Sequence, residues 1–274
     1  INKPIRNAIE SNLSGNYNIL FKIVNFKNHG SNSSRTRTLV IGVRKDLSKI
    51  SPYDILPKEK ESKVLRQMFQ GLKELTSMGE IDSQDIYHSY RNFNINMLPW
   101  IEKTKEGQSA FENKESSRIP HRIVDGEVVF NKNKNGNKYA RWYWDREGPC
   151  IHTRNDILAS QNTVHPSENR VFSIREIMLM MSIPKSFKWS DTSLQKLNKL
   201  TIDEKVKFLK KEELNIRHCL GESVPTEVFR SIAENIQSYF ECKSLTERDV
   251  YSLIEKNNLG KIEKLLKFIN KNFN

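Results

Sequence analysis

Residues 34–45 read SRTRTLVIGVRK. Arg35 and Arg37 stand one residue apart and lead directly into Leu39, Val40, Ile41, Gly42 and Val43. Alternate side chains of a strand share a face, so this spacing puts both guanidiniums on one side. Two planar, permanently charged groups side by side can grip a phosphate or the polar edge of a base. An apolar strand behind them would hold that grip rigid. The same spacing also fits two surface arginines flanking an ordinary strand end, and the residues alone leave both readings open. Trp142, Tyr143 and Trp144 could stack on bases, although such a cluster more often fills the core of a small sheet, which is the favoured reading. Cys150-Ile151-His152 and His218-Cys219 are close pairs, but no C-x-x-C is present, so no metal site is expected. No glycine-rich phosphate loop is found.

The elements around these residues follow from pattern. Lys3 to Leu13 fits a short helix. NILFKIVNF (18–26) and RTLVIGV (37–43) are strand-length apolar runs joined by the turn-rich KNHGSNSS, an arrangement that predicts antiparallel neighbours. The second run is almost continuously Leu, Val and Ile, as in a strand buried on both faces. From Ser48 to about Ser160 the texture is irregular, with one clear helix expected over 63–75. Beyond His165 helices return. Ser173-Ile174-Arg175-Glu176 is a capping box, followed by the apolar IMLMM and a stop at Pro184. A later helix is expected from near Pro225 to about Phe240, with Phe229, Ile232, Ile236 and Phe240 on one face. Ser244 to Glu247 forms a second capping box, opening a helical pair at 245–256 and 260–270.

Bulk properties narrow the classes. Lys plus Arg is 45 against 33 acids, a net charge of +12, which points to a polyanionic partner such as nucleic acid. A lysine- and asparagine-rich solvated surface is the bland alternative. No apolar run approaches the ~20 residues of a membrane helix, and INKPIRNAIES has no apolar core of a signal peptide. Three scattered cysteines make no disulfide framework, in keeping with an intracellular protein.

Three stretches, in order, carry a family resemblance. HGSNSSRTRTLVIGVRKDL resembles the eighth motif of the DNA (cytosine-5) methyltransferases, with Gly30, Arg35, Arg37 and Gly42 matching and Ser33 in place of the usual Gln. HPSENRVFSIREIMLMMSIPKSF (165–187) resembles the ninth. CLGESVPTEVFRSIAENI (219–236) resembles the tenth, with Glu222 where Asn is usual. Between the eighth and ninth lies a variable stretch, where the family places its target recognition domain; HSYRNF, EGQSAFEN and ARWYWDREGPCIHTR resemble segments of such domains.

The resemblance implies an α/β chain: the C-terminal part of a Rossmann-like methyltransferase domain with an inserted, mostly β or irregular, target recognition domain. The implied borders are 1–47 for the last catalytic-domain strands, 48–164 for recognition, and 165–274 for a return segment with C-terminal helices. It implies methyl transfer from S-adenosylmethionine to C5 of cytosine in double-stranded DNA, within a restriction–modification system of a bacterial cytoplasm. Arg37 matches the arginine that contacts the flipped target nucleotide, and Arg35 its supporting partner. Flipping is required because the target carbon is stacked inside the duplex. Glu222, Ser223 and Val224 would form part of the cofactor wall. Arg141, Thr153, Arg154 and Arg175 are the candidate DNA contacts.

The family's cofactor loop, Pro-Cys nucleophile loop and Glu-Asn-Val motif should precede Arg35 and are not found there. Pro149-Cys150 comes after the arginines, inside the recognition stretch, and is followed by Ile; it is not expected to be the nucleophile. An N-terminal half, as a separate subunit or cleaved segment, is therefore expected to complete the enzyme. The alternative is a DNA-binding specificity module without methyl transfer, inside a restriction complex.

Overall fold

A computed structural model of the chain describes residues 2–47, 49–131 and 135–244. The chain divides into two compact units. Unit one takes Ile1–Asn25, Thr36–Glu59 and Glu227–Asn274; unit two takes Phe26–Arg35 and Lys60–Thr226. The borders expected at 47/48 and 164/165 do not coincide with this division, because residues 165–226 pack together with residues 60–164. Among the described residues no helix is long and apolar enough to cross a membrane.

In unit one, α1 (Lys3–Leu13) carries Pro4 in its first turn, where a fixed φ and a missing N–H cost nothing. Strands β1 (Tyr17–Asn25) and β2 (Thr36–Arg44) pair antiparallel, from Tyr17 opposite Arg44 to Asn25 opposite Thr36, as the two apolar runs predict. Leu20, Val24 and Val43 are buried and lie on one face of the ladder. Burial on both faces is not observed: Ile23 is 68% and Val40 40% exposed. Their face meets α1 at its edge, where the Arg6 guanidinium lies 4.9 Å over the Phe21 ring.

Helix α7 (Thr226–Ser244) forms where expected, but with a different face inward. Val228 and Tyr239 are buried, whereas Phe229 and Phe240 are exposed. The reason is polar. Ser231 Oγ accepts the Lys58 N–H at 3.0 Å and Asn235 Nδ2 donates to the Leu56 carbonyl at 2.8 Å. Satisfying the backbone at 56–58 turns these residues inward. The expected capping box at Ser244 and the helices at 245–256 and 260–270 lie outside the described residues.

Unit two contains the short pair β3 (Ile81–Asp82) and β4 (Asp85–Ser89), and the hairpin β5 (His121–Val124) and β6 (Glu127–Phe130). Asp125 and Gly126 both have positive φ, the turn geometry that matches the twist of a two-residue hairpin. The helix expected over 63–75 is one turn, α2 (Leu65–Met68), since Gly71 at φ +83° takes the chain out of helical conformation. The remaining helices are α3 (Leu98–Ile101), α4 (Ile174–Met180), α5 (Leu194–Asn198) and α6 (Ile202–Glu222). Trp142 and Trp144 pack against the main core, as favoured, though without forming a small sheet strand.

The capping box of α4 forms as read: Ser173 Oγ accepts the Glu176 N–H and Glu176 accepts the Ser173 N–H at 2.7 Å. Glu176 does more. Arg170, fully buried, donates to its two carboxylate oxygens at 2.8 and 2.7 Å. Burial opposes the Glu176 charge, but Arg170 outweighs it and holds the carboxyl well below the usual carboxylate range. Removing one partner of such a pair strands a buried charge. Glu176→Ala is therefore expected to cost about 3–5 kcal/mol, read as a drop in denaturant midpoint; an unchanged midpoint would show that Arg170 finds other compensation.

Candidate nucleic-acid interface

The two arginines of SRTRT do different things. Strand β2 begins at Thr36, so Arg35 lies before the ladder and not in it. Its Nη1 donates to the Ser223 carbonyl at 2.6 Å, inside unit two. Arg37 belongs to unit one, opposite Val24 at the end of the face that holds Leu20 and Val43. Its side chain is exposed, with Nη1 on the neighbouring Thr36 carbonyl at 2.8 Å. The strand register thus supplies a rigid base for Arg37, while Arg35 braces the turn after α6.

That turn follows from the helix that ends there. Thr201 and Glu204 form a capping box at the start of α6. At its end the Ser223 N–H bonds the Cys219 carbonyl at 2.9 Å and the Ser223 hydroxyl donates to Leu220 O at 2.8 Å. Pro225 prevents continuation. Glu222 and Val224 remain exposed.

The inward stripe of α6 also holds a loop. Glu213 accepts Arg217 Nε at 2.8 Å and Arg91 Nη1 at 2.5 Å. Arg217 Nη1 donates to Asn155 Oδ1 at 3.1 Å and to the Phe172 carbonyl at 3.0 Å. Asn155 Nδ2 donates in turn to the carbonyls of His152, 2.7 Å, and Arg217, 2.8 Å. Gly221 completes the seat: a Cβ there would lie 2.4 Å from the Thr153 nitrogen and 2.5 Å from the His152 carbonyl carbon. Thr153 and Arg154 are carried on this loop. Arg154 Nε donates to Asp156 Oδ1 at 2.9 Å, and its side chain is 65% exposed. Asn155, Asp156, Glu213, Arg217 and Gly221 escaped the sequence reading. The available signals were a Glu–Arg pair at helical i,i+4 spacing and a glycine inside a helix.

The other candidate contacts are interior. Arg141 is buried and donates to the carbonyls of Thr104, His165, Glu168 and Ile101 and to Asn169 Oδ1. Burial pushes it down to about 10, which leaves it charged at neutral pH. Arg175 is buried and grips Asp85 through Nε at 2.5 Å and Nη2 at 3.1 Å. The expectation that these two meet DNA is corrected accordingly: their donors are spent on protein groups. Sequence spacing cannot separate an arginine that braces a loop from one that faces solvent.

His165, Glu168 and Glu176 lie close enough to resemble a metal cluster. The donor set does not fit an ion. His165 Nδ1 accepts the Glu168 N–H at 3.0 Å, so Nε2 carries the proton, 3.3 Å from Glu168 Oε1. Arg170 bonds both carboxylates.

Residues 3–238 match the family model described as C-5 cytosine-specific DNA methylase. The chain belongs to this family. The chain is 26% identical to the Type II methyltransferase M1.HgaI of Avibacterium volantium over 85% of the chain and 59% of that protein. It is 22% identical to the Type II methylase M.HgiDII of Herpetosiphon aurantiacus over 86% of the chain and 60% of that protein. The chain thus spans about three fifths of the length of these relatives. A solved structure of a prophage-encoded E. coli protein, described as a DNA modification methyltransferase, aligns with a TM-score of 0.55 at 15% identity, over 87% of this chain and 65% of that one. At that identity the likeness concerns the fold, which is of the α/β methyltransferase type.

Two outcomes follow for this chain. Gly221→Ala should force the 152–153 backbone to move and cost about 1–3 kcal/mol as overpacking, visible as a lower thermal midpoint; an unshifted midpoint would mean that the seat yields freely. The second concerns pH. Burial, ahead of every other influence, pushes His165 down to about 3 from an ordinary 6.5. The folded state holds it neutral while the unfolded chain protonates first. Its contribution is complete above about 6.5 and is lost as pH falls toward 3. The unfolding midpoint should fall across that window, and His165→Gln should flatten the slope. An equally steep slope in the variant would assign the acid sensitivity elsewhere.

Proposed function

We propose that this chain is part of a DNA cytosine-5 methyltransferase of a Type II restriction–modification system, contributing sequence recognition and the arginine that holds the flipped cytosine. The observation that carries the reading is Arg37: an exposed guanidinium on the rigid end of a two-strand ladder, in a chain whose residues 3–238 match the family. Its donors would meet the phosphate or the polar edge of the extruded nucleotide. Double-stranded DNA is the partner, and the net charge of +12 favours it.

S-adenosylmethionine would supply the electrophilic methyl group. The turn after α6 fits one wall of its site in part: the Glu222 carboxylate and the Val224 side chain are exposed and available, whereas the Ser223 hydroxyl and carbonyl are already bonded. Glu222 would orient polar hydroxyls and Val224 would cover an apolar ring, with Arg35 fixing the turn that carries them.

The reaction also needs a thiolate that adds to C6 and an acid at N3. In this reading both come from residues outside these 274, on a separate subunit or on the rest of the same protein. Cys150 is a poor candidate. It borders a cavity of about 10 Å³ shared with Phe172 and Ile177, room for about one water and not for a pyrimidine. Cys219 stands exposed on α6, and the side chain of Cys242 lies outside the described residues.

Two measurements test this. In enzyme reconstituted with the remaining half, Arg37→Ala should slow single-turnover methylation roughly ten- to a hundredfold, about 1.5–3 kcal/mol, with little change in DNA affinity. A wild-type rate would reduce SRTRT to an ordinary strand end. Cys150→Ser should methylate nearly as well as wild type and still form the covalent adduct with a mechanism-based cytosine analogue. Loss of the adduct in that variant alone would make Cys150 the nucleophile.

A further inference from the structure

We infer that Arg154 reads a guanine edge in the major groove of duplex DNA, with Asp156 as its positioning residue; the inference rests on the proposed DNA-modifying role. Asp156 is buried, its side chain only 4% exposed, and its two oxygens take Arg154 Nε at 2.9 Å and Nη2 at 3.4 Å. One edge of the guanidinium is thereby fixed. Nη1 has no partner among the described residues, and with the outer N–H of Nη2 it offers two parallel donors to solvent. Guanine presents two adjacent acceptors, O6 and N7, that match such a fork.

Three features separate this arginine from an ordinary surface charge. Its loop is seated on α6 by Asn155, Arg217 and Gly221, so the fork is held by a rigid part of the fold. Its rotamer is set before binding, which reduces the side-chain freedom lost in the complex. And the Asp156 carboxylate, which Arg91 Nη2 also approaches at 3.7 Å, offsets part of its charge, while Glu213 faces Arg91 and Arg217 behind it. This offset weakens the pull on a phosphate but leaves directional donors for a neutral base edge. Arg37, whose Nη1 rests on the Thr36 carbonyl, has no such carboxylate buttress among the described residues and suits the backbone better.

The test is enrichment of binding sites from a randomised duplex pool by the 274-residue chain and by Arg154→Ala, Arg154→Gln and Asp156→Asn, with melting curves to check folding. The wild type should select sites with guanine at one fixed position, preferred roughly 5- to 150-fold over other bases. Arg154→Ala should erase that preference at that position alone and change affinity for unselected duplex by no more than about threefold. Arg154→Gln should move the preference toward adenine, whose N6 and N7 match a carboxamide. Asp156→Asn should weaken the guanine preference without relocating it. Guanine selection that survives Arg154→Ala overturns the assignment. So does a uniform loss at all positions with a salt slope smaller by about 1, the mark of a phosphate contact. A wild-type chain that binds duplex but selects no guanine also overturns it and leaves the methyltransferase reading standing; a chain that binds no duplex at all overturns both.

Discussion

Glu176 is a fully buried carboxylate at the start of α4, and unit two is organised by how that charge is met. Arg170 donates to both its oxygens, the Ser173 N–H donates to one of them, and the His165 ring stands 3.6 Å away. An ion in a low-dielectric interior is tolerated only when every direction is occupied. The requirement fixes the 165–170 turn, the direction of α4, and through Glu168 the backbone N–H of Leu75 at 2.9 Å. Arg141 extends the same logic, since its donors close four backbone carbonyls that no strand or helix satisfies. In an irregular domain with few ladders, buried guanidiniums take over work that backbone pairing performs elsewhere.

This changes the meaning of the net charge. Arg141, Arg170, Arg175 and Arg217 are all buried, the last three of them paired with carboxylates, so a substantial part of the arginine content never reaches the surface. The positive field available to a polyanion comes from lysines and from a few exposed arginines, among them Arg37 and Arg154. The polar core and the exposed donors are nevertheless linked. The Glu213–Arg217–Asn155 bonds that satisfy the interior also set the loop that carries Arg154 outward.

Some of this was legible in the sequence because it is encoded locally. The β1–β2 pair, α1, the capping box of α4 and the start of α7 each depend on residues within a few positions of one another, and each was read correctly. The inward face of α7 was misread because Ser231 and Asn235 turn inward to meet the backbone at 56–58, a long-range demand with no local trace. Arg141 and Arg175 were misread for the same reason: their partners, Thr104 and Asp85, are 37 and 90 residues away. The 63–75 helix failed at Gly71, a signal that was present but outweighed by apolar periodicity. Family motifs placed Arg35, Arg37 and the 222–224 turn in sequence, but the hydrogen bond from Arg35 to Ser223 spans 188 residues and could only be seen folded.

The chain passes between its two units four times, at 25/26, 35/36, 59/60 and 226/227. A ribosome therefore releases the β1–β2 hairpin long before α7, whose Val228 and Tyr239 belong to the same unit. About 170 residues of unit two intervene, roughly ten to thirty seconds of translation at ordinary rates. Through that interval Leu20, Val24 and Val43, which the finished unit buries, wait on a nascent chain, where uncovered apolar strands attract chaperones or one another. Unit two is complete first, although its sequence starts second. Within these residues the order of synthesis and the order of completion are thus reversed, and yield in a cell depends on how well β1 and β2 are shielded until α7 emerges.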